Sequence, residues 1–168
     1  MNDRKTVRKW FWVWEFEKEE AWLNSMAESG WALDGVGFCT YHFVRCQPGE
    51  YTVRLQMCDF DSEYRSFLED ISAEYIGRVA KWVYYRRRSE LGSFELFSDL
   101  DSKIQHLQKI SNLLKVLMLC NLCIGIANSF HAYGMGALNL LCAALMAYGM
   151  GRIDGKLESL KSERMIYE

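Results

Sequence analysis

The sequence predicts an α+β domain followed by a long helix and a two-helix transmembrane hairpin. Two observations lead to this class. The first part of the chain alternates strand-like aromatic and β-branched runs with amphipathic helical runs. Residues 116–151 contain no Lys, Arg, Asp or Glu, whereas residues 1–110 carry 15 basic and 18 acidic residues. Half of the 168 residues are apolar and only one is proline, which excludes a disordered or collagen-like chain.

The predicted elements of residues 1–97 follow the order strand, helix, strand, strand, helix, strand. The aromatic run at residues 9–14 favours a first strand that is apolar on both faces and therefore central. Glutamates crowd the start of a helix at 17–29, and Gly30 ends it. The remaining elements are strands at 31–46, 51–57 and 76–86 and a helix at 61–75. This is the ferredoxin-like, split β-α-β-β-α-β arrangement, with both helices on one face of one sheet.

The other face of this sheet has no helix of the domain to cover it. Phe11 and Val13 are predicted to point to that face. Large exposed apolar surfaces usually mark a place where a partner binds. We therefore expect Phe11 and Val13 to contact a second copy, another protein, a small ligand or the membrane hairpin. The alternatives are a curled sheet, or a cover formed by residues 89–97.

Residues 113–153 are predicted to form two transmembrane helices joined by a tight turn near residues 131–134. A helix that crosses a bilayer needs about 20 residues. Lys and Arg flank both helices and are missing from the turn, so both termini are predicted to be cytoplasmic at the cytoplasmic membrane. Residues 98–112 are predicted to connect the domain to the first span as a helix, and residues 154–168 to form a cytosolic tail. The alternative is two buried helices in a soluble core.

Small or polar residues recur at four-residue spacing in both predicted spans. Small side chains let helices approach closely in lipid, and an amide can bond across the contact. The residues predicted to pack within the hairpin or between copies are Asn121, Gly125, Ser129, Ala143, Ala147 and Gly151.

The sequence contains no pattern typical of a catalytic or cofactor site. A glycine-rich phosphate loop, a Ser-His-Asp order and a His-x-x-x-His pair are all missing. Cys120 and Cys123 have the spacing of a redox or zinc pair, but their apolar surroundings favour packing. We predict no catalytic residue, no cofactor and no metal. The formal charge of −2 argues against direct nucleic-acid binding.

Arg86, Arg87 and Arg88 form the most concentrated run of charge. At a membrane surface such a run contacts anionic lipid head groups, and elsewhere it contacts a phosphate ligand or an acidic partner. A solvated strand end, neutralised by Glu90 and Glu95, is the simpler alternative. An enzyme or transport accessory protein that acts on lipids through this run is the second functional hypothesis.

Three segments resemble a bacterial family known as domain of unknown function 2812. They are FEKEEAWL at residues 16–23, GWAL at 30–33 and PGEYTVRL at 48–55, and FELFSD at 94–99 fits as well. The resemblance covers about residues 7–110. It implies a cytosolic α+β domain from Gram-positive bacteria, followed by membrane helices and encoded near transcriptional repressors of the PadR type. No catalytic residue is implied.

The composition and the resemblance together favour a non-catalytic, membrane-anchored interaction or sensory module. Its expected partners are membrane lipids and either a second copy or another protein. Control of a PadR-type repressor is the regulatory role that the resemblance suggests.

Overall fold

The computed structural model describes residues 3–58, 62–97, 99–131 and 134–167. The chain divides into two compact units, Met1–Ser98 and Asp99–Glu168. In the described residues the first unit contains six strands and two α-helices, and the second contains two long helices. The predicted α+β class is therefore confirmed, and so is the following pair of long apolar helices.

The first unit consists of two copies of one strand–helix–strand–strand motif. The first copy comprises β1 (Arg4–Arg8), α1 (Phe16–Glu28), β2 (Trp31–Gly37) and β3 (Thr40–Arg45). The second comprises β4 (Tyr51–Met57), α2 (Ser62–Asp70), β5 (Glu74–Val79) and β6 (Trp82–Arg88). Each copy forms its own antiparallel sheet, in the orders β1-β3-β2 and β4-β6-β5.

The hairpins β2–β3 and β5–β6 share one register with an offset of 42 residues. Leu33 pairs with Phe43 in the first sheet, and Tyr75 pairs with Tyr85 in the second. The register then shifts by one residue in both sheets, immediately before Gly35 and Gly77. The motif is therefore duplicated in structure, although few of the paired positions carry the same residue.

This duplication corrects the predicted single four-stranded sheet, so the ferredoxin-like arrangement is not confirmed. Residues 9–14 are not a strand, because β1 ends at Arg8 and a 3-10 turn at Val13–Glu15 leads into α1. Segments 31–46 and 76–86 each include a tight hairpin turn instead of one continuous strand. Cys39 and Ala80 adopt left-handed conformations in these turns, with φ of 51° and 53°. Two-residue turns of this kind require such a conformation.

Helix α1 contacts both sheets. Its Trp22 ring meets the Phe43 ring of the first sheet at 5.8 Å, and its Phe16 ring stacks on Trp82 of the second at 5.5 Å. Side chains of α1 also bond to the free edge of β4. Asn24 Oδ1 accepts from the Val53 amide at 2.8 Å, and Asn24 Nδ2 donates to the Val53 carbonyl at 3.1 Å. An edge strand covered in this way is protected from pairing with another chain.

The exposed residues on the face of the first sheet that points away from α1 are polar. Since Tyr41 and Phe43 contact Trp22, their neighbours on β3 point to the opposite side. His42 lies there and is hydrogen-bonded to Thr6 at 3.0 Å. The exposed residues on this face are Arg4, Thr6, Arg8 and His42. The expected free apolar face is thus not found on this sheet.

The second unit is formed by α3 (Leu100–His131) and α4 (Met135–Tyr167). At 1.5 Å per residue each helix is about 48 Å long, which exceeds the roughly 30 Å hydrocarbon core of a bilayer. Their most apolar windows have mean hydropathies of 1.8 and 1.3. By length and composition both helices could cross a membrane. Their charged ends also meet, as Arg164 lies 2.8 Å from Asp101 and Ser111 Oγ donates to Asp154 at 2.6 Å.

The six predicted packing residues occupy different environments. Gly125 is buried, and a Cβ at this position would lie 3.2 Å from the Leu140 backbone nitrogen. Ser129 lies against Gly136, and Ala143 is buried. Gly151 faces open space, Asn121 donates to the Leu117 carbonyl of its own helix, and Ala147 is half-buried. The close crossing is therefore near the turn between the helices.

Candidate functional site

An exposed cluster of aromatic and basic side chains lies where β1 ends and the β2–β3 hairpin turns. We call it the aromatic–basic patch, and it comprises Arg8, Lys9, Trp10, Trp12 and Phe38. The exposed fractions of Trp10, Trp12 and Phe38 are 55%, 36% and 78%. Single exposed apolar residues are ordinary, but three adjacent large rings in water are costly unless a partner covers them.

The backbone holds the aromatic–basic patch in one arrangement. The Lys9 amide donates to the Cys39 carbonyl at 3.1 Å, which ties the segment after β1 to the hairpin turn. The Trp10 ring contacts the rings of Trp12 and Phe38 edge-on, at 5.3 and 6.0 Å. Trp12 in turn stacks on the buried Trp14 at 5.0 Å. The exposed rings are therefore connected to the core through the contact of Trp12 with Trp14.

An open cavity of about 440 Å³ lies beside these rings. Its lining is Arg8, Lys9, Trp10, Phe38, Cys39 and Thr40. Its volume lies within the range of small-molecule pockets, but it is a depression open to solvent, which suits a surface contact more than an enclosed ligand. The lining offers cations and aromatic faces but no carboxylate, so it suits a target that combines negative charge with apolar surface.

The basic side chains of β1 and of Lys9 have little compensating negative charge. Within the described part of the chain, neither Arg4 nor Arg8 has a carboxylate partner. Lys9 Nζ lies 4.5 Å from the centre of the Trp22 ring and Lys5 Nζ lies 5.4 Å from that of Trp31. Cation–π contacts orient an ammonium group without cancelling its charge.

A second polar feature is buried between the sheets. Glu19 Oε1 of α1 accepts hydrogen bonds from Tyr41 Oη at 2.8 Å and from Tyr84 Oη at 2.6 Å. Burial raises the pKa of Glu19, and the two phenol bonds only partly oppose this. Burial and the nearby carboxylate also raise the pKa of Tyr41 and Tyr84, so both phenols remain donors. The trio joins β3 and β6 through α1 and acts as a structural joint.

The two residues predicted to bind a partner through a sheet face are placed differently. Phe11 packs against the Trp22 ring at 5.7 Å and the Tyr41 ring at 6.4 Å. Val13 is half-buried and begins the 3-10 turn. In this run Trp10 and Trp12, and not Phe11 and Val13, are the exposed residues, and the backbone is not a strand.

The three consecutive arginines do not form one anion-binding surface. Arg86 donates to the Leu33 carbonyl at 2.6 Å and lies 2.7 Å from Glu74, so it fastens β6 to β2. Arg87 donates to the carbonyls of Leu91 and Ser93. Arg88 is exposed and lies 3.3 Å from Glu90. The internal contacts of Arg86 and Arg87 reduce the support for a lipid-acting enzyme built on this run.

Phe38 is not among the site residues predicted from the sequence. The signal that could have indicated it is the pair Phe38-Cys39 between two runs of strand-like residues. A large aromatic residue at the tip of a two-residue turn has few neighbours to cover it. Among the described residues, no three metal-ligating side chains converge.

These features define a class: a duplicated α+β unit that carries an exposed aromatic–basic patch and is followed by two helices apolar enough to span a membrane. The chain belongs to the family DUF2812, described as a protein of unknown function, whose model matches residues 15–119. No curated protein and no solved structure matches the chain.

Proposed function

We propose that this protein is a non-catalytic, membrane-anchored binding module that recognises its target through the aromatic–basic patch. The observation that carries this proposal is the exposure of Trp10, Trp12 and Phe38 beside two basic residues and an open cavity. Aromatic anchors next to Arg are the residues that dominate binding energies at recognition surfaces.

The second unit supplies the anchor in this proposal. Its helices expose large apolar side chains in the uncharged stretch on both sides of the turn, among them Leu119, Ile126 and Leu141. Such exposure is stable in lipid and unfavourable in water. Lys115 and Arg152 border the uncharged stretch, and the positive-inside rule then favours both termini in the cytoplasm. Control of a PadR-type repressor stays a prediction from the family resemblance.

Site-specific photo-crosslinking in living cells tests the patch. The photoreactive residue p-benzoylphenylalanine replaces Phe38 in the full-length protein. Phe67 on α2, which is 58% exposed, is the matched control position. We expect irradiation to give adducts with lipid or protein at position 38 and several-fold fewer at position 67, because only the patch is covered by a target.

Two results would contradict the proposal. Equal adduct yields at positions 38 and 67 would show that the patch is no more occupied than an ordinary exposed aromatic residue. A lack of adducts at position 38, with normal expression and membrane recovery, would show that nothing covers it.

A further inference from the structure

We infer that the target of the aromatic–basic patch is the anionic surface of a lipid bilayer. This inference rests on the proposed function, since it names the partner of the same surface.

Two of the three exposed rings in the aromatic–basic patch are tryptophans. Tryptophan is enriched where membrane meets water, because its ring is apolar and its N–H prefers a polar surrounding. Trp10 and Trp12 lie two positions apart in the chain, and their exposed rings are in contact. Phe38 projects from the tip of a hairpin turn. A bilayer surface accepts such protruding rings without a complementary pocket.

The positive charge near the aromatic–basic patch complements an anionic bilayer. Four basic residues, Arg4, Lys5, Arg8 and Lys9, lie within six positions, and all four are exposed. Basic residues beside a membrane are attracted to anionic lipid and act additively. Since Arg4 and Arg8 have no carboxylate partner in the described residues, their charge is available to head groups.

The first unit is covalently linked to the two apolar helices. The same chain carries two helices apolar enough to span a membrane. A tethered module meets the nearby bilayer at a high effective concentration, so a weak surface affinity suffices for docking. Weak interfacial binding is what a few rings and cations provide.

The test uses the full chain in nanodiscs whose lipids carry brominated acyl chains, which quench nearby tryptophan emission. One set contains phosphatidylcholine only, and the other contains about a third phosphatidylglycerol. The quenching of Trp10 and Trp12 is the difference between the wild type and the Trp10→Phe/Trp12→Phe variant. We expect this difference in the anionic nanodiscs, and we expect 1 M salt, with a Debye length of about 3 Å, to remove it.

Charge variants separate electrostatic docking from general exposure. Arg4→Gln/Arg8→Gln is expected to lower the docked-to-free ratio by about fivefold per charge removed. The matched control is Arg78→Gln/Lys81→Gln, which removes two exposed charges elsewhere in the unit and is expected to leave quenching unchanged.

Three results would overturn the inference. They are equal quenching with and without phosphatidylglycerol, no quenching in either, and equal loss in both charge variants. If Phe38 crosslinks to a protein in cells while the nanodisc experiment is negative, the proposed binding module stands and only the lipid partner fails. If position 38 gives no crosslink either, both fail.

Discussion

Glu19→Ala is expected to lower the free energy of unfolding of the first unit by about 3–4 kcal/mol. The carboxylate is 8% exposed and accepts the hydrogen bonds of both Tyr41 and Tyr84. Its removal leaves two phenols without an acceptor and opens a cavity between the sheets. The matched control is Glu17→Ala on the exposed side of α1, which should change stability by less than about 0.5 kcal/mol.

Glu19→Gln isolates the contribution of the charge. The pKa of Glu19 is raised above its ordinary value of 4.5 in the folded protein by burial. The folded state therefore holds this proton more tightly than the unfolded state. The stabilisation is fully present below about pH 4.5, and it is lost as the pH rises through the raised pKa. Because Gln cannot ionise, its stability relative to the wild type is expected to increase over the same range.

Urea titrations of the full-length protein in detergent, followed by tryptophan emission, measure both effects. The difference in unfolding free energy between wild type and Glu19→Gln is taken at each pH. This removes the pH-dependent contributions of other groups, including Glu20, whose pKa is also raised by burial. A difference in unfolding free energy that does not change with pH would contradict the raised pKa of the buried Glu19. A Glu19→Ala variant as stable as Glu17→Ala would show that the trio does not join the sheets.

Gly136→Ala is expected to destabilise the helical hairpin by about 2–3 kcal/mol. A Cβ at position 136 would lie 2.8 Å from both the Gly125 carbonyl oxygen and the Ser129 nitrogen, closer than Cβ atoms pack. These neighbours are backbone atoms and cannot rotate away. The two helices must therefore separate near the turn.

Gly151→Ala is the matched control, since a Cβ there meets nothing within 4 Å. It should be neutral or slightly stabilising, because Ala is a better helix former than Gly. Thermal unfolding in detergent, followed by circular dichroism at the helical band, compares the two variants. Equal melting temperatures would contradict the close crossing of α3 and α4 at this point.

Local sequence patterns predicted the elements whose stop signals or alternation are strong. Helix α1 was expected at 17–29 and is found at Phe16–Glu28, ended by Gly30 with φ of 80°. Strand β4 was expected at 51–57 and is found at Tyr51–Met57. The two hairpins were missed because their turns, Phe38-Cys39 and Ala80-Lys81, lack the Asn-Gly or Asp-Gly signal.

The candidate site could not be predicted because it depends on packing between distant segments. The run at 9–14 has strong strand propensity, but Trp14 and Phe16 are buried at the start of α1 and the backbone turns there. That turn leaves Trp10 and Trp12 exposed and brings Trp10 into contact with Phe38. The pair of apolar helices, in contrast, could be predicted from composition alone, because a run of 36 consecutive uncharged residues is recognised without knowledge of tertiary contacts.

Cysteine reactivity tests most directly whether residues 116–151 lie in hydrocarbon. Cys120 and Cys123 are exposed on α3. In water such thiols are accessible to a water-soluble maleimide, whereas in hydrocarbon they are shielded from it. The experiment uses the full chain in isolated membranes, with the other four cysteines changed to Ser. Ser159→Cys, at an exposed position on α4, is the positive control in a variant that lacks Cys120 and Cys123.

We predict that maleimide labels Ser159→Cys at once, and that it labels Cys120 and Cys123 only after denaturing detergent is added. Labelling of Cys120 and Cys123 in intact membranes at the rate of the Ser159→Cys control would place this stretch in water and contradict the membrane anchor.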